Sequence, residues 1–489
     1  MRLNQLLAGV ALTERRAGDV ECSGICYDTR TMEPGCLFVA LPGYKTDGHK
    51  YIAQALEQGA AAVLCQHPPE GEGPWLVTPD ARAALAAVSA NWFGHPARDM
   101  TLLAVTGTNG KTTSVFLIKH LLTAAGHRTG LIGTVQNEIG DLVLPAKFTT
   151  PDPYQLQSML AKMRAAGCEY VAMEVSSHAL DQHRADGIHF DVAVFTNLTL
   201  DHLDYHHTME EYFAAKRKLF DRCDTAVLNI DDEHGRILAE ELSCRTVTIS
   251  DKDDTADYLA GNIRIRSDGS SFVVLHGGEL EKVNISTPGD FSIHNALGAL
   301  AAVTEAGVPM AQAAADLADC AGVPGRFEVV PNALGFTVIR DYAHTPDGID
   351  NVLSTVRGIT DDRMVVLFGC PGLRDSSKRP AMAAAVAKYA DFVILTSDNP
   401  REEPEEKIIN DALPGLTASG KPYKIISDRY EAIEYALETC GEGDILLLLG
   451  KGHEDYQVLA SGANYFNEKE IVGELSRKIA RQRTEGSEK

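Results

Sequence analysis

The 489-residue chain is 44% apolar and 23% charged, an ordinary globular balance, and at roughly 100–200 residues per domain it predicts about three domains. Its net charge of −23 argues against a nucleic-acid partner, since phosphate backbones select clustered Lys and Arg, yet small anions need only a few local cations and backbone amides. No run approaches the ~18 apolar residues of a membrane span, and Met1–Val10, followed by Glu14, Arg15 and Arg16, does not read as a signal peptide, so a cytoplasmic protein is expected. The ten cysteines form no CxxC pair, and Cys22 and Cys26 have no matching pair nearby; they read as core residues, without zinc or disulfides.

Along the chain, Cys36–Ala40 predicts a strand, Tyr51–Gly59 a helix and Ala60–Cys65 a second strand. This is a small α/β unit over residues 1–98, with His95-Pro96 as its exit. A second unit, 99–325, opens with the apolar strand Leu102–Val105. Helix Ser114–Ala125 follows, then strands at Tyr170–Val175, Val192–Thr196 and Thr225–Asn229, so a largely parallel sheet is expected. The third unit, 326–489, carries strands Thr337–Asp341, Met364–Phe368, Phe392–Thr396 and Asp444–Leu449. Helices Arg379–Tyr389 and Asp428–Glu438 lie between them, giving a second doubly wound α/β unit.

The strongest chemical signal is Gly107-Thr108-Asn109-Gly110-Lys111-Thr112-Thr113 between a strand and a helix. Its glycines let successive N–H groups turn towards one anion, and the helix adds its positive end. Lys111 would neutralise β and γ phosphates and the Thr112 hydroxyl would ligate Mg²⁺. Two residues separate the glycines, so the long phosphate-loop pattern is not matched. Two polar clusters follow strands in the same unit: Glu174-Val175-Ser176-Ser177-His178, and Asn197 through Asp201-His202 to His206. Glu174 is the candidate Mg²⁺ ligand; His202 is a less usual ligand for so hard a cation. Taken singly, each reads as well as a capped strand end.

In this order, GTNGKTT, MEVSSHAL, NLTLDHLDYH, YFAAKRKLF, HNALGALAA, GRFE, DYAHTPD, TSDNPR and GKGHEDYQ resemble the motifs of the Mur ligases. They are most similar to the branch that extends UDP-N-acetylmuramoyl-L-alanyl-D-glutamate. The resemblance implies an α/β fold of three domains: a small N-terminal uridine-nucleotide domain, a central parallel-sheet P-loop ATPase domain and a C-terminal Rossmann-like amino-acid domain. It implies a monomeric enzyme using ATP and Mg²⁺, which joins meso-diaminopimelate to the UDP-N-acetylmuramoyl-dipeptide through an acyl phosphate.

Residue by residue, the resemblance makes Lys111, Glu174, His202 and a carbamylated Lys216 catalytic, with Thr112, Glu174, His202 and Lys216 at the metal. Asn295, Arg326 and Asp341 would join the phosphate loop around ATP. Thr29, Thr149, Thr150, Ser176, Gln182 and Arg184 would hold the UDP substrate. Arg374, Asp398, Asn399, Pro400, Arg401, Gly450 and Glu454 would hold the amino acid, Arg401 by forking onto its distal carboxylate and Glu454 by pairing with its ammonium. His344 falls in a family motif without an assigned role. Pro371 and Leu373 depart from the family stretch, which has glycine and a carboxylate there, and so weaken the expectation for Arg374. L-lysine as the added residue, a Mur-like ligase outside the cell wall and a non-catalytic nucleotide-binding scaffold are the alternatives. The last would predict a damaged Lys111, Glu174, His202 or Lys216, and all four are intact.

Overall fold

The computed structural model describes residues 1–43 and 46–487. Three large sheets follow one another along the chain, each with helices on its faces, and a two-stranded ribbon, Tyr456–Leu459 with Gly462–Tyr465, stands beside the last. The first has the order Glu14–Arg15, Trp75–Val77, Ala62–Cys65, Cys36–Val39, Gly24–Cys26 and is parallel except at Glu14–Arg15. The third has the order Glu328–Val329, Thr337–Asp341, Ile445–Leu449, Met364–Phe368, Phe392–Leu395, Tyr423–Ile425, and only its first strand is antiparallel. The interior strands of both are continuous apolar runs because helices cover both faces.

The central sheet has eleven strands. Seven are parallel, in the order Tyr258–Arg266, Arg245–Ser250, Cys223–Asn229, Phe190–Phe195, Thr101–Thr106, Tyr170–Glu174, Thr129–Ile132. The expected parallel sheet is therefore present, but two antiparallel strands extend it at each edge: Gly269–His276 with Glu279–Ile285, and Gln136–Ile139 with Leu142–Pro145. Gly269–His276 is mostly buried, whereas the outermost strands Glu279–Ile285 and Leu142–Pro145 are mostly exposed. Nine of the ten cysteines are buried, and Cys244 is half-buried.

One ion pair between two helices of the third unit, Arg429–Thr439 and Glu468–Ser487, ties down loops beside its sheet. Arg429 and Glu468 are fully buried, 2.8 Å apart, and Arg429 also donates to the carbonyls of Ser397 (3.2 Å) and Leu449 (2.9 Å). Both carbonyls precede predicted amino-acid-site loops. Replacing Glu468 by alanine leaves a buried guanidinium without its carboxylate, and a loss of about 3–5 kcal/mol is expected. Urea unfolding measures it; a loss under about 1 kcal/mol would mean the remaining carbonyls suffice.

Candidate active site

Strand Thr101–Thr106 delivers the chain to Gly107, and Gly110 caps helix Lys111–Ala124 with φ +87°. Both glycines are obligatory. A Cβ on Gly107 would stand 1.9 Å from Thr196 Oγ1, and one on Gly110 would stand 2.3 Å from Asn295 Oδ1. The helix thus begins three residues before the predicted Ser114, which brings Lys111 and Thr112 into its first turn. Lys111 Nζ donates to the carbonyls of Gly107 (2.9 Å) and Thr108 (2.8 Å). Asn109 Nδ2 donates to Asp347 Oδ2 at 2.8 Å, tying the loop to the helix that starts at Pro346.

Glu174, wholly buried at its strand end, accepts from Thr112 Oγ1 (3.0 Å), Thr134 N (2.7 Å) and Thr134 Oγ1 (3.1 Å). Arg326 donates to the same Thr112 hydroxyl at 3.1 Å and lies over the Tyr342 ring. A cavity of about 460 Å³ opens beside the loop, lined by Asn109, Gly110, Asn295, Arg326, Asp341 and His344 among others. Buried Asp341 accepts from the N–H groups of Phe327 and Ala343.

Lys216 approaches the loop from helix Met209–Arg217. Its Nζ donates to Gly107 O at 2.7 Å, the carbonyl that also receives Lys111. Burial, then the neighbouring Lys111, pushes its ammonium well below the ordinary lysine range. His202 has a left-handed backbone (φ +55°), a conformation that costs a non-glycine residue about 1–2 kcal/mol and concentrates at functional sites. Its ring lies 4.8 Å from that of His178, and burial drives it down despite Asp201 alongside. Asp201 also accepts from Lys378 at 3.1 Å, a buried ion pair that joins the central sheet to the third.

The predicted substrate residues form a continuous run. Thr134 Oγ1, its proton on Glu174, accepts from Thr149 Oγ1 (3.0 Å), Thr150 Oγ1 donates to Glu174 O (2.9 Å), and Ser176 N donates to Thr150 Oγ1 (3.1 Å). Arg184 grips Thr150 O (2.9 Å) and Gln182 Oε1 (2.7 Å), and Gln182 and Arg184 line a cleft of about 180 Å³ shared with Tyr27 and Arg82. Thr29 is not brought to this cleft. It sits half-buried on a short 3₁₀ turn, with its hydroxyl 3.4 Å from Gln54 Oε1.

The amino-acid candidates gather above the third sheet. Asn399 Nδ2 donates to Glu454 Oε2 (2.8 Å), and a Cβ on Gly450 would meet Asp398 Oδ2 at 2.6 Å. Pro400 leads into Arg401, whose guanidinium rests on the carbonyls of Gly372 (2.6 Å) and Asn399 (3.3 Å).

Three family models match the chain: the Mur ligase family catalytic domain over residues 21–91, the Mur ligase middle domain over 105–303 and the Mur ligase glutamate ligase domain over 325–452. A UDP-N-acetylmuramoyl-L-alanyl-D-glutamate–2,6-diaminopimelate ligase from Syntrophomonas wolfei is 42% identical over 489 residues, covering 98% of this chain and 99% of its own. The chain belongs to the Mur ligase family. A ligase of the same name from Caldanaerobacter subterraneus is 42% identical over 478 residues, covering 97% of this chain and 99% of its own. A solved structure so named superposes with a TM-score of 0.66 at 33% identity, covering 94% of this chain and 95% of that one. The three-domain α/β architecture is that of Mur ligases.

Several residues of this Mur ligase were not singled out by its motifs. Lys378, Asp347 and Lys451 were missed because each acts across a long sequence gap or from inside a loop. Glu454 pairs with buried Lys451 (3.1 Å) as well as with Asn399 (2.8 Å). Exposed Arg374 makes no hydrogen bond or ion pair among the described residues, in keeping with the missing carboxylate at Leu373. Leu373 itself is 55% exposed with φ +51°. Pro371→Gly with Leu373→Asp should orient Arg374 and lower KM for the amino acid severalfold, with KM for ATP unchanged. Steady-state kinetics decide it, and an unchanged amino-acid KM would show that Arg374 needs no partner.

Proposed function

We propose that this Mur ligase adds meso-diaminopimelate to UDP-N-acetylmuramoyl-L-alanyl-D-glutamate, with ATP cleaved to ADP and phosphate. The observation that carries the reading is the convergence of Lys111, Thr112, Glu174 and Lys216 on one glycine loop and the first turn of its helix. The relatives at 42% identity over nearly the whole chain bear this activity in their names.

In the proposed reaction the substrate's terminal carboxylate oxygen attacks the γ-phosphorus and ADP leaves. The amine of the amino acid then attacks the acyl carbon, phosphate leaves, and the amine's proton passes to solvent. Lys111 and the loop N–H groups offset the charge that gathers where two anions meet. Thr112, buried Glu174 and Lys216 as its carbamate would supply the oxygen donors Mg²⁺ prefers, with His202 offering a nitrogen; when bound, the ion would screen the phosphates. Thr149, Thr150, Ser176, Gln182 and Arg184 would seat the peptide end of the UDP substrate.

The boundaries 1–98, 99–325 and 326–489 divide uridine-nucleotide, ATP and amino-acid binding. No described helix is long and apolar enough to cross a membrane, which suits work on a nucleotide-linked precursor in the cytoplasm.

The test is phosphate release with Mg-ATP and the UDP-dipeptide, with meso-diaminopimelate and L-lysine supplied separately. Release with diaminopimelate alone is expected. Release with lysine alone would discard the role given to Arg401, and release with neither would discard the acceptor.

A further inference from the structure

Beyond the phosphate loop, the same cavity wall holds a second group of donor atoms. Asp231 follows strand Cys223–Asn229, Asp251 follows strand Arg245–Ser250, and His294 lies in the first turn-and-a-half of helix Asp290–Glu305. One ligand atom from each lies within 4.8 Å of the others. His294 Nε2 is 3.1 Å from Asp231 Oδ2 and 3.4 Å from Asp251 Oδ1. Asp231 is pinned in place by Ser250 Oγ (2.6 Å) and the Asp251 N–H (2.9 Å). The side chain of Asp251 is 9% exposed, and its Oδ1 is buried with no hydrogen-bond partner. The Lys252 ammonium, 3.7 Å from that oxygen, belongs to a side chain 71% exposed and free to turn to solvent.

We propose that Asp231, Asp251 and His294 form a site for a divalent first-row transition ion of the Zn²⁺ or Co²⁺ class, separate from the site at Thr112 and Glu174. Two carboxylates and a neutral imidazole supply two negative charges and mixed O/N donors, a set that suits these ions better than Mg²⁺. The donors are anchored before any ion arrives: Asp231 by two hydrogen bonds, and His294 by its helix. The buried oxygen of Asp251 gains the partner it lacks. On binding, the proton that His294 Nε2 shares with Asp231 leaves to solvent. The inference does not rest on the identity of the ligase's substrates.

The test uses full-length, chelator-stripped protein without nucleotide, titrated with Co²⁺ by visible absorption and with Zn²⁺ by calorimetry. One equivalent is expected to bind, to weaken more than about tenfold in Asp251→Asn and His294→Gln, and to persist in Glu174→Gln. Asp251→Asn keeps the side chain's shape, so it decides the matter alone if His294→Gln does not fold. Three results would overturn the proposal: equal binding in all variants, loss in Glu174→Gln only, or no equivalent bound. The last would leave the triad as a closed ion pair in which the imidazolium is itself the cation.

Discussion

Replacing Lys216 by alanine is expected to lower kcat a thousandfold or more while the protein stays folded. Lys216 is 1% exposed, and among the described residues its ammonium makes no ion pair with a carboxylate. It shares one carbonyl with Lys111 and otherwise faces the Tyr212 ring at 4.5 Å. Both circumstances favour the neutral amine, and burial dominates. A neutral amine is the form that bonds to the carbon of CO₂, releasing a proton and leaving a carbamate. The side chain would change from an unmatched buried cation to an anion facing Lys111 across the loop. The physical logic of the proposed carbamylation is thus that it removes a like-charge conflict visible in the hydrogen bonds. Activity of the parent should fall in CO₂-free buffer and return with bicarbonate, whereas Lys216→Ala should respond to neither. Full activity in Lys216→Ala, or indifference of the parent to CO₂, would sink the carbamate. Thermal melting separates this from a folding defect.

The parts of this site that sequence made legible are those whose chemistry is local. Gly107 and Gly110 stand at backbone positions where a Cβ would collide with Thr196 and Asn295, so the spacing of the loop reports its geometry. Glu174 and Asn399 end or follow apolar runs that can be seen without the fold. What stayed hidden depends on pairing between distant segments. Lys378 reaches Asp201 across 177 positions, and Asn109 reaches Asp347 across 238. Neither lysine nor aspartate has a pattern that tells a surface charge from a buried bridge. The antiparallel edges of the central sheet were equally quiet, because strands such as Glu279–Ile285 expose half of their residues. Thr29, expected near the uridine nucleotide, lies outside the cleft lined by Gln182 and Arg184, whose expected ligand is the peptide end.

Arg401→Met is expected to reduce kcat/KM for meso-diaminopimelate about a hundredfold, ~3 kcal/mol, and to leave the poor use of L-lysine no worse. Arg401 adopts φ +58°, held by its own N–H on Val458 O at 2.9 Å. Among the described residues its guanidinium has only carbonyl partners, Gly372 and Asn399. Burial and the like charge of Arg374 hold it below its ordinary value. A guanidinium so placed lacks a counter-anion, and a distal carboxylate is the substrate group that supplies one through two hydrogen bonds. Lysine offers an ammonium there, which meets repulsion from Arg401 and Arg374 together. Removing Arg401 therefore withdraws attraction from one substrate and repulsion from the other, so the ratio of the two kcat/KM values should move further than either alone. Equal losses for both amino acids, with KM for ATP unchanged, would mean that Arg401 only braces the Gly372 loop. In that case discrimination would lie with Arg374, and the Leu373 substitution would be the change that alters it.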